Sequence, residues 1–369
     1  MSETRHHMTA TLDIQRSRAE QARLDFTGGL MAFNSTGFGP AMGAHYRENE
    51  TRLDDPSDIS EVGALMEEGA AYRFGAFFER HNHAQMFRAI LDILERQGDE
   101  VRAWLDDCNP PGALGSLELD PELKTPRYYR KIEIHTQPGN YHAEFAGFLY
   151  HWMISPFLVG RDDGDEMGWN LARAVPGGDY RRILDLGCGV GKSTFPYCEL
   201  HPDAEVVGLD YSASMLKYGH KLAESRGHKV HFTQRLAEDT GYPDASFDVV
   251  SAVWLFHELP GKVRAAVVRE AFRLLRPGGI FAIMESPPFK VLQEEYSPLS
   301  AFLLDSTGRR MEDPFLPGFL AEDRVRMFEQ GGFSEVRDVP LPNELTGWGF
   351  GGEYFFGAYP WWATIGVRP

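Results

Sequence analysis

The sequence predicts an α/β protein: a doubly wound, mostly parallel open sheet preceded by a mostly helical segment. Three observations carry this prediction. From residue 181 onward, short apolar runs alternate with helix-like stretches, the pattern of strands joined by crossover helices. The first run, Ile183 to Leu186, enters the glycine turn "GCGVG", which opens a helix. The 140 or so residues ahead of it carry helical periodicity instead of strand alternation.

Within that leading segment, one helix is expected over Ser60 to Arg80, where "SDISEVGALMEEG" holds a start signal. A second is expected over Ala84 to Arg96, with Met86, Ile90 and Leu94 on one face. The stretch "DDCNPPGALGSLELDPELKTP" is rich in proline, glycine and acid and reads as a connector. Residues 1–140 are therefore expected to form a helical N-terminal domain, and 141–369 the α/β domain. In "NYHAEFAGFLYHWMISPFLVG", Phe145, Phe148, Leu149 and Trp152 fall near helical spacing and belong to a core. Tyr141, His142 and Tyr150 are its polar-tipped members.

The turn itself, "LDLGCGVGKST" over 184–194, admits three ligands. A phosphate-gripping loop needs a glycine five residues before the Gly of Gly-Lys-Ser; here that place holds Leu186. A dinucleotide turn needs a glycine at the sixth position, which is Lys192. Neither fingerprint is met. What remains is an apolar strand carrying Asp185, followed by Gly187, Cys188, Gly189, Val190 and Gly191. Glycines let the backbone lie flat against a ligand without phosphate, and Asp185 suits a cationic amino-acid end.

This turn resembles motif I of the class I S-adenosylmethionine-dependent methyltransferases, and the residues after it extend the resemblance. A second apolar strand, Ala204 to Leu209, ends in Asp210, twenty-three residues after Gly187. An acid there can accept both ribose hydroxyls; it can also cap the following helix, leaving one carboxylate oxygen free. Tyr211 and Met215 stand where the family places flat contacts to adenine, and Trp254 is expected at the same cofactor. "TQRLAEDTGYPDASFDVV" resembles the adenine-edge loop, with Ala237 and Glu238 as contacts. Leu236 departs from it, because relatives often carry Asp there, so the acceptor for the adenine amine falls to Glu238 or Asp239. "FDVVSAVWLF" and "RLLRPGGIFAIME" complete the pattern, which covers residues 181 to 298 at most. The resemblance implies a seven-stranded Rossmann-like sheet with its last strand antiparallel. It also implies S-adenosyl-L-methionine as cofactor and a small-molecule acceptor. In related enzymes, N-terminal additions cover the substrate or form a homodimer interface.

After the last matching strand, "SPPFKVLQEEYSPLSAFLLDSTGRRMEDPFLPG" is expected to insert a helical lid at about 287–320. "LAEDRVRMFEQGG" follows as a helix, then two closing strands. Tyr354, Phe355, Phe356, Tyr359, Trp361 and Trp362 give the end of the chain an aromatic density suited to edge strands or to an apolar pocket.

Composition bounds the partners. A net charge of −17 argues against nucleic acid and against an anionic membrane surface, and favours a neutral or cationic small substrate. Apolar content of 43% and aromatic content of 12% support a real core. Cys108, Cys188 and Cys198 have no metal spacing, so no metal site is expected, and with the polar start "MSETRHHMTA" they suggest a cytoplasmic protein.

Methyl transfer is an in-line displacement at the sulfonium carbon, and a base is needed only where the nucleophile must lose a proton. The candidate is "WLFHELP", where His257 would be the base and Glu258 its orienting carboxylate, at the sheet edge where ligands bind. The resulting expectation is methylation of a small neutral or aromatic molecule, with oxygen slightly favoured over carbon or nitrogen. A cofactor-binding regulatory or scaffold protein without turnover is the alternative. A nicotinamide oxidoreductase is disfavoured by Lys192.

Overall fold

The computed structural model describes residues 12–108, 111–157, 165–341 and 361–369. Five helices come first: α1 (Arg18–Phe33), α2 (Gly39–Asn49), α3 (Ile59–Glu68), α4 (Ala70–Arg96) and α5 (Gly98–Asp106). The helix expected over Ser60 to Arg80 is broken at Gly69, whose extended backbone (φ −79°, ψ 125°) ends α3 and starts α4. From there α4 runs unbroken through the gap expected before Ala84.

The supposed connector contains a strand, β1 (Ser116–Glu118). The sheet accordingly has eight strands instead of the expected seven. Its order is β1-β4-β3-β2-β5-β6-β8-β7, with β2 (Arg182–Leu186), β3 (Glu205–Asp210), β4 (Val230–Gln234), β5 (Phe247–Val253), β6 (Leu275–Glu285), β7 (Ser334–Pro340) and β8 (Trp362–Val367). β1 pairs parallel with β4 and is held there by Glu224, whose carboxylate accepts the N–H groups of Leu114 and Gly115 at 2.9 and 3.0 Å. A three-residue strand is too short for its alternation to give a sequence signal, and its partner and a distant carboxylate supply the order. Only β8 runs antiparallel, against both β6 and β7.

Crossover helices α8 (Phe195–Leu200), α9 (Ala213–Arg226) and α10 (Gly261–Leu274) link the parallel strands, while α6 (Ala146–Phe157) and α7 (Glu166–Ala174) lead into β2. The order of strands reverses at β2, between β3 and β5. This switch point opens a crevice outside the strands' carboxyl ends. Over that crevice lies the expected helical insertion: α11 (Phe289–Val291), α12 (Pro298–Arg310) and α13 (Leu316–Leu320), before α14 (Arg324–Gln330).

The leading helices do not stand apart. Phe87, Ile90 and Ile93 of α4 share one buried cluster with Leu184, Leu209 and Phe281 of the sheet. A second cluster joins Val62, Met66 and Tyr72 to Leu299 and Phe302 of α12, and the Tyr72 hydroxyl meets Ser306 Oγ at 2.6 Å. The N-terminal helices and the insertion therefore form one roof. Among the described residues, no helix is long and apolar enough to cross a membrane. Of the C-terminal aromatics, Tyr354, Phe355, Phe356 and Tyr359 lie outside the described residues, while Trp361, just before β8, and Trp362, its first residue, are buried.

Candidate active site

Beneath the roof is a cavity of about 1490 Å³, counting its open mouth. Its walls come from β2, β3 and β5 ends, the adenine-edge loop, α4, α6 and the insertion.

One wall holds the glycine turn. Gly187 (φ +67°) and Gly189 (φ +54°) line the cavity in left-handed backbone, a conformation that glycine adopts without steric cost. A Cβ on Gly187 would stand 2.9 Å from a Leu255 methyl. Asp210 closes the turn from β3: Oδ2 accepts Gly189 N–H at 3.0 Å and Oδ1 accepts Ser212 N–H at 2.8 Å. The expectation that one oxygen stays free is therefore corrected. Both are engaged, each keeping one lone pair, and the helix cap is Ser212, which accepts Met215 N–H. Burial raises the Asp210 pKa to about 6.

Asp185, Cys188 and Gly191 do not line the cavity, a second correction. Asp185 is fully buried and accepts hydroxyls from Ser193 (2.6 Å), Thr194 (2.8 Å) and Ser251 (3.0 Å). It ties the turn to α8's approach and to β5. Gly191 (φ +89°) presses on the Phe195 ring, and Cys188 is packed in the core. Lys192, the residue that spoils the dinucleotide fingerprint, is paired with Asp165 at 2.9 Å.

Tyr211, Met215, Leu236, Ala237 and Glu238 all line the cavity. Two tyrosines that sequence reasoning missed join them. Tyr129 stacks on Tyr211 with ring centres 5.2 Å apart, and the Tyr128 hydroxyl donates to Glu238 Oε1 at 3.0 Å. Both follow β1, so the added strand delivers them; no spacing in the sequence announces that.

The opposite wall is ionisable. His257, on the short 3₁₀ turn after β5, is 3% exposed. Its orienting carboxylate is Glu285 at the end of β6, with Nδ1 to Oε2 at 2.8 Å, and the expected orienter Glu258 is corrected accordingly. Glu285 Oε1 also accepts the N–H of Phe256 at 2.7 Å. Glu258 accepts the Tyr141 hydroxyl at 2.6 Å and lies 3.2 Å from His135 Nε2. His257 Nε2 stands 3.9 Å from Glu258 Oε1 and 3.7 Å from Asp313 Oδ2. Burial opposes charge on His257, but Glu285, Asp313 and Glu258 outweigh it and push its pKa up to about 10. Such an imidazole holds its proton at neutral pH; it can donate from Nε2 and is a poor base. Asp313 is raised to about 6 by burial, against the pull of His257 and His135. His83, on α4, is lowered to about 3 by burial and by His135, and stays neutral.

His83, His135 and Asp313 went unread because each is isolated in sequence and arrives from a different element. Trp254 does line the cavity. It is one of two non-glycine residues there in left-handed backbone (φ 56°), the other being His135 (φ 57°). Such strain costs on the order of 1–3 kcal/mol and persists where surroundings over-determine it.

Comparison with known proteins points the same way. Residues 183–279 match the family described as a methyltransferase domain. A demethylmenaquinone methyltransferase of Thermus thermophilus is 37% identical over 108 residues, 29% of this chain and 48% of that protein. A ubiquinone/menaquinone biosynthesis C-methyltransferase of Vibrio parahaemolyticus is 34% identical over 133 residues, 35% of this chain and 51% of that one. The chain thus spans about half the length of these curated relatives. Among solved structures, a phosphoethanolamine N-methyltransferase of Haemonchus contortus aligns over 62% of this chain and 58% of its own, at 15% identity and a TM-score of 0.46.

Proposed function

In a chain that carries a class I S-adenosylmethionine-dependent methyltransferase domain, we propose transfer of a methyl group from that cofactor to a small, neutral, hydroxylated aromatic acceptor. The observation that carries this is one cavity with two unlike walls. The glycine turn, Asp210 and the adenine-edge loop line one, and the cluster around His257 lines the other. Asp210's remaining lone pairs face the ribose diol. Tyr211, Met215 and Ala237 flank adenine, and Glu238 takes its amine.

Carbon is the favoured acceptor atom. Relatives named for demethylmenaquinone methylation and for C-methylation support it, and none of those reported favours the hydroxyl expected from sequence. Methylating a ring carbon requires electron density from a neighbouring oxygen, which a hydrogen bond fixes in place. His257 Nε2 supplies that bond. Glu258 is the group placed to accept a proton, since His257 already holds one. Met153, Ile154, Met311 and Leu316 give the acceptor apolar walls.

The experiment is incubation of the full chain with S-adenosylmethionine and a panel of quinols, phenols and amines. S-adenosylhomocysteine is followed, and the product's methyl is located by NMR. Turnover on a quinol or phenol with a new carbon–methyl bond is expected. Cofactor binding without turnover on any acceptor overturns the proposal in favour of a regulatory or scaffold protein.

A further inference from the structure

We propose that His135, His257 and Asp313 bind one divalent first-row transition-metal ion at the roof side of the cavity. One ligand atom from each lies within 4.8 Å of the others. His135 belongs to the loop before α6, His257 to the turn after β5, and Asp313 to the insertion between α12 and α13. No two are near in sequence, so no metal spacing could be read there.

Separate observations point to a ligand. Asp313 is 1% exposed, and neither of its oxygens has a hydrogen-bond partner. A buried carboxylate without hydrogen bonds is disfavoured unless a cation satisfies it. His257 is held as a metal-binding histidine is: its Nδ1 donates to Glu285, which leaves Nε2 as the outward atom. A backbone N–H fixes Glu285 in turn. The left-handed backbone of His135 is a third sign, since strain of this kind collects where a side chain must be aimed.

The separations suit an ion. Ligands at about 2.0–2.1 Å from a tetrahedral centre stand roughly 3.3–3.4 Å apart. His257 Nε2 and Asp313 Oδ2 are 3.7 Å apart, and the three ligand atoms all lie within 4.8 Å of one another. Small side-chain movements would close the set. Two imidazoles with one carboxylate select zinc, manganese, iron or cobalt over magnesium or calcium, which prefer oxygen alone. Charge agrees: the carboxylates of Glu258, Glu285 and Asp313 all crowd one imidazole, at 3.9, 2.8 and 3.7 Å. Three protein ligands leave a position open toward the cavity, where an acceptor oxygen can enter, the ion then taking the place of the hydrogen bond from His257 Nε2. That last step rests on the methyl-transfer reading; metal binding does not.

The test uses the full chain stripped with a chelator, without cofactor. Zinc is titrated by calorimetry, and cobalt is followed by visible absorption. One tight equivalent and a strong low-symmetry cobalt spectrum are expected. Both should vanish in His135→Gln and Asp313→Asn, and both should survive in His6→Ala/His7→Ala, which removes the adjacent histidines near the chain start. Absence of the cobalt spectrum in the wild-type chain overturns the site, whatever the variants do. So does a tight equivalent that persists in both folded variants. A chain that binds zinc but transfers no methyl group sinks the methyl-transfer reading alone, and methyl transfer without metal binding sinks the site alone.

Discussion

Glu285 and His257 share a buried hydrogen bond, Oε2 to Nδ1 at 2.8 Å, with Glu285 1% exposed at the end of β6 and His257 on the turn after β5. The same carboxylate takes Phe256 N–H. Glu285→Ala strips a buried charge pair and a backbone donor at once, so it should lower stability by about 3–5 kcal/mol. Glu285→Gln keeps an oxygen for Phe256 and should lose less. It turns a donor or a weaker acceptor toward Nδ1, however, and turnover should fall about 10–100-fold. Urea denaturation beside turnover per folded molecule checks both. Equal turnover in Glu285→Gln and wild type would remove Glu285 as a positioning residue.

Asp210 holds the turn in the structure, and in the function proposed above it also binds the ribose. Asp210→Ala leaves the Gly189 and Ser212 N–H groups without their acceptor, which should cost about 1–3 kcal/mol of stability per orphaned group. Cofactor binding should weaken by a further about 1.5–3 kcal/mol. Calorimetric titration of the folded variant with S-adenosylhomocysteine measures the second effect. An unchanged dissociation constant rejects the ribose assignment.

Asp185 makes a pH-dependent contribution. Burial raises its pKa to about 6, against three hydroxyl donors, while an unfolded Asp titrates near 3.9. The folded protein therefore holds this proton more tightly. The stabilisation is complete below about pH 4 and is lost as pH rises through 6, amounting to about 3 kcal/mol. Asp185→Asn cannot titrate, so its stability relative to wild type should climb between pH 4 and 7. Denaturation midpoints across that window decide it, and a pH-independent difference would refute the assignment.

Gly115 lets β1 reach β4. A Cβ there would stand 1.9 Å from the Val230 carbonyl oxygen. Gly115→Val should detach β1 and disorder the Tyr128–Tyr129 segment behind it. Cofactor affinity should fall while the other seven strands remain. Limited proteolysis should then cut between residues 111 and 127, and a protease-resistant variant with wild-type affinity would show that β1 does not deliver those tyrosines.

The α/β core was legible from residue 181 onward because its signals are local. A buried parallel strand is a mostly apolar run, as in Ile183, Leu184 and Leu186 around the single buried acid Asp185. A turn in left-handed backbone favours glycine, as at Gly187 and Gly189, and an acid that ends an apolar strand, as Asp210 does, is set at the sheet's carboxyl edge by the strand itself. The tertiary structure decided what depends on distant partners. It gave Asp185 to three hydroxyls, transferred the orientation of His257 from its neighbour Glu258 to Glu285, and brought His135 and Asp313 beside it. A short charged or aromatic side chain on an irregular loop carries no periodicity. Its partner is set by how strands β5 and β6 lie side by side and by how the roof packs on them, and neither relation is written in the spacing of the residues themselves.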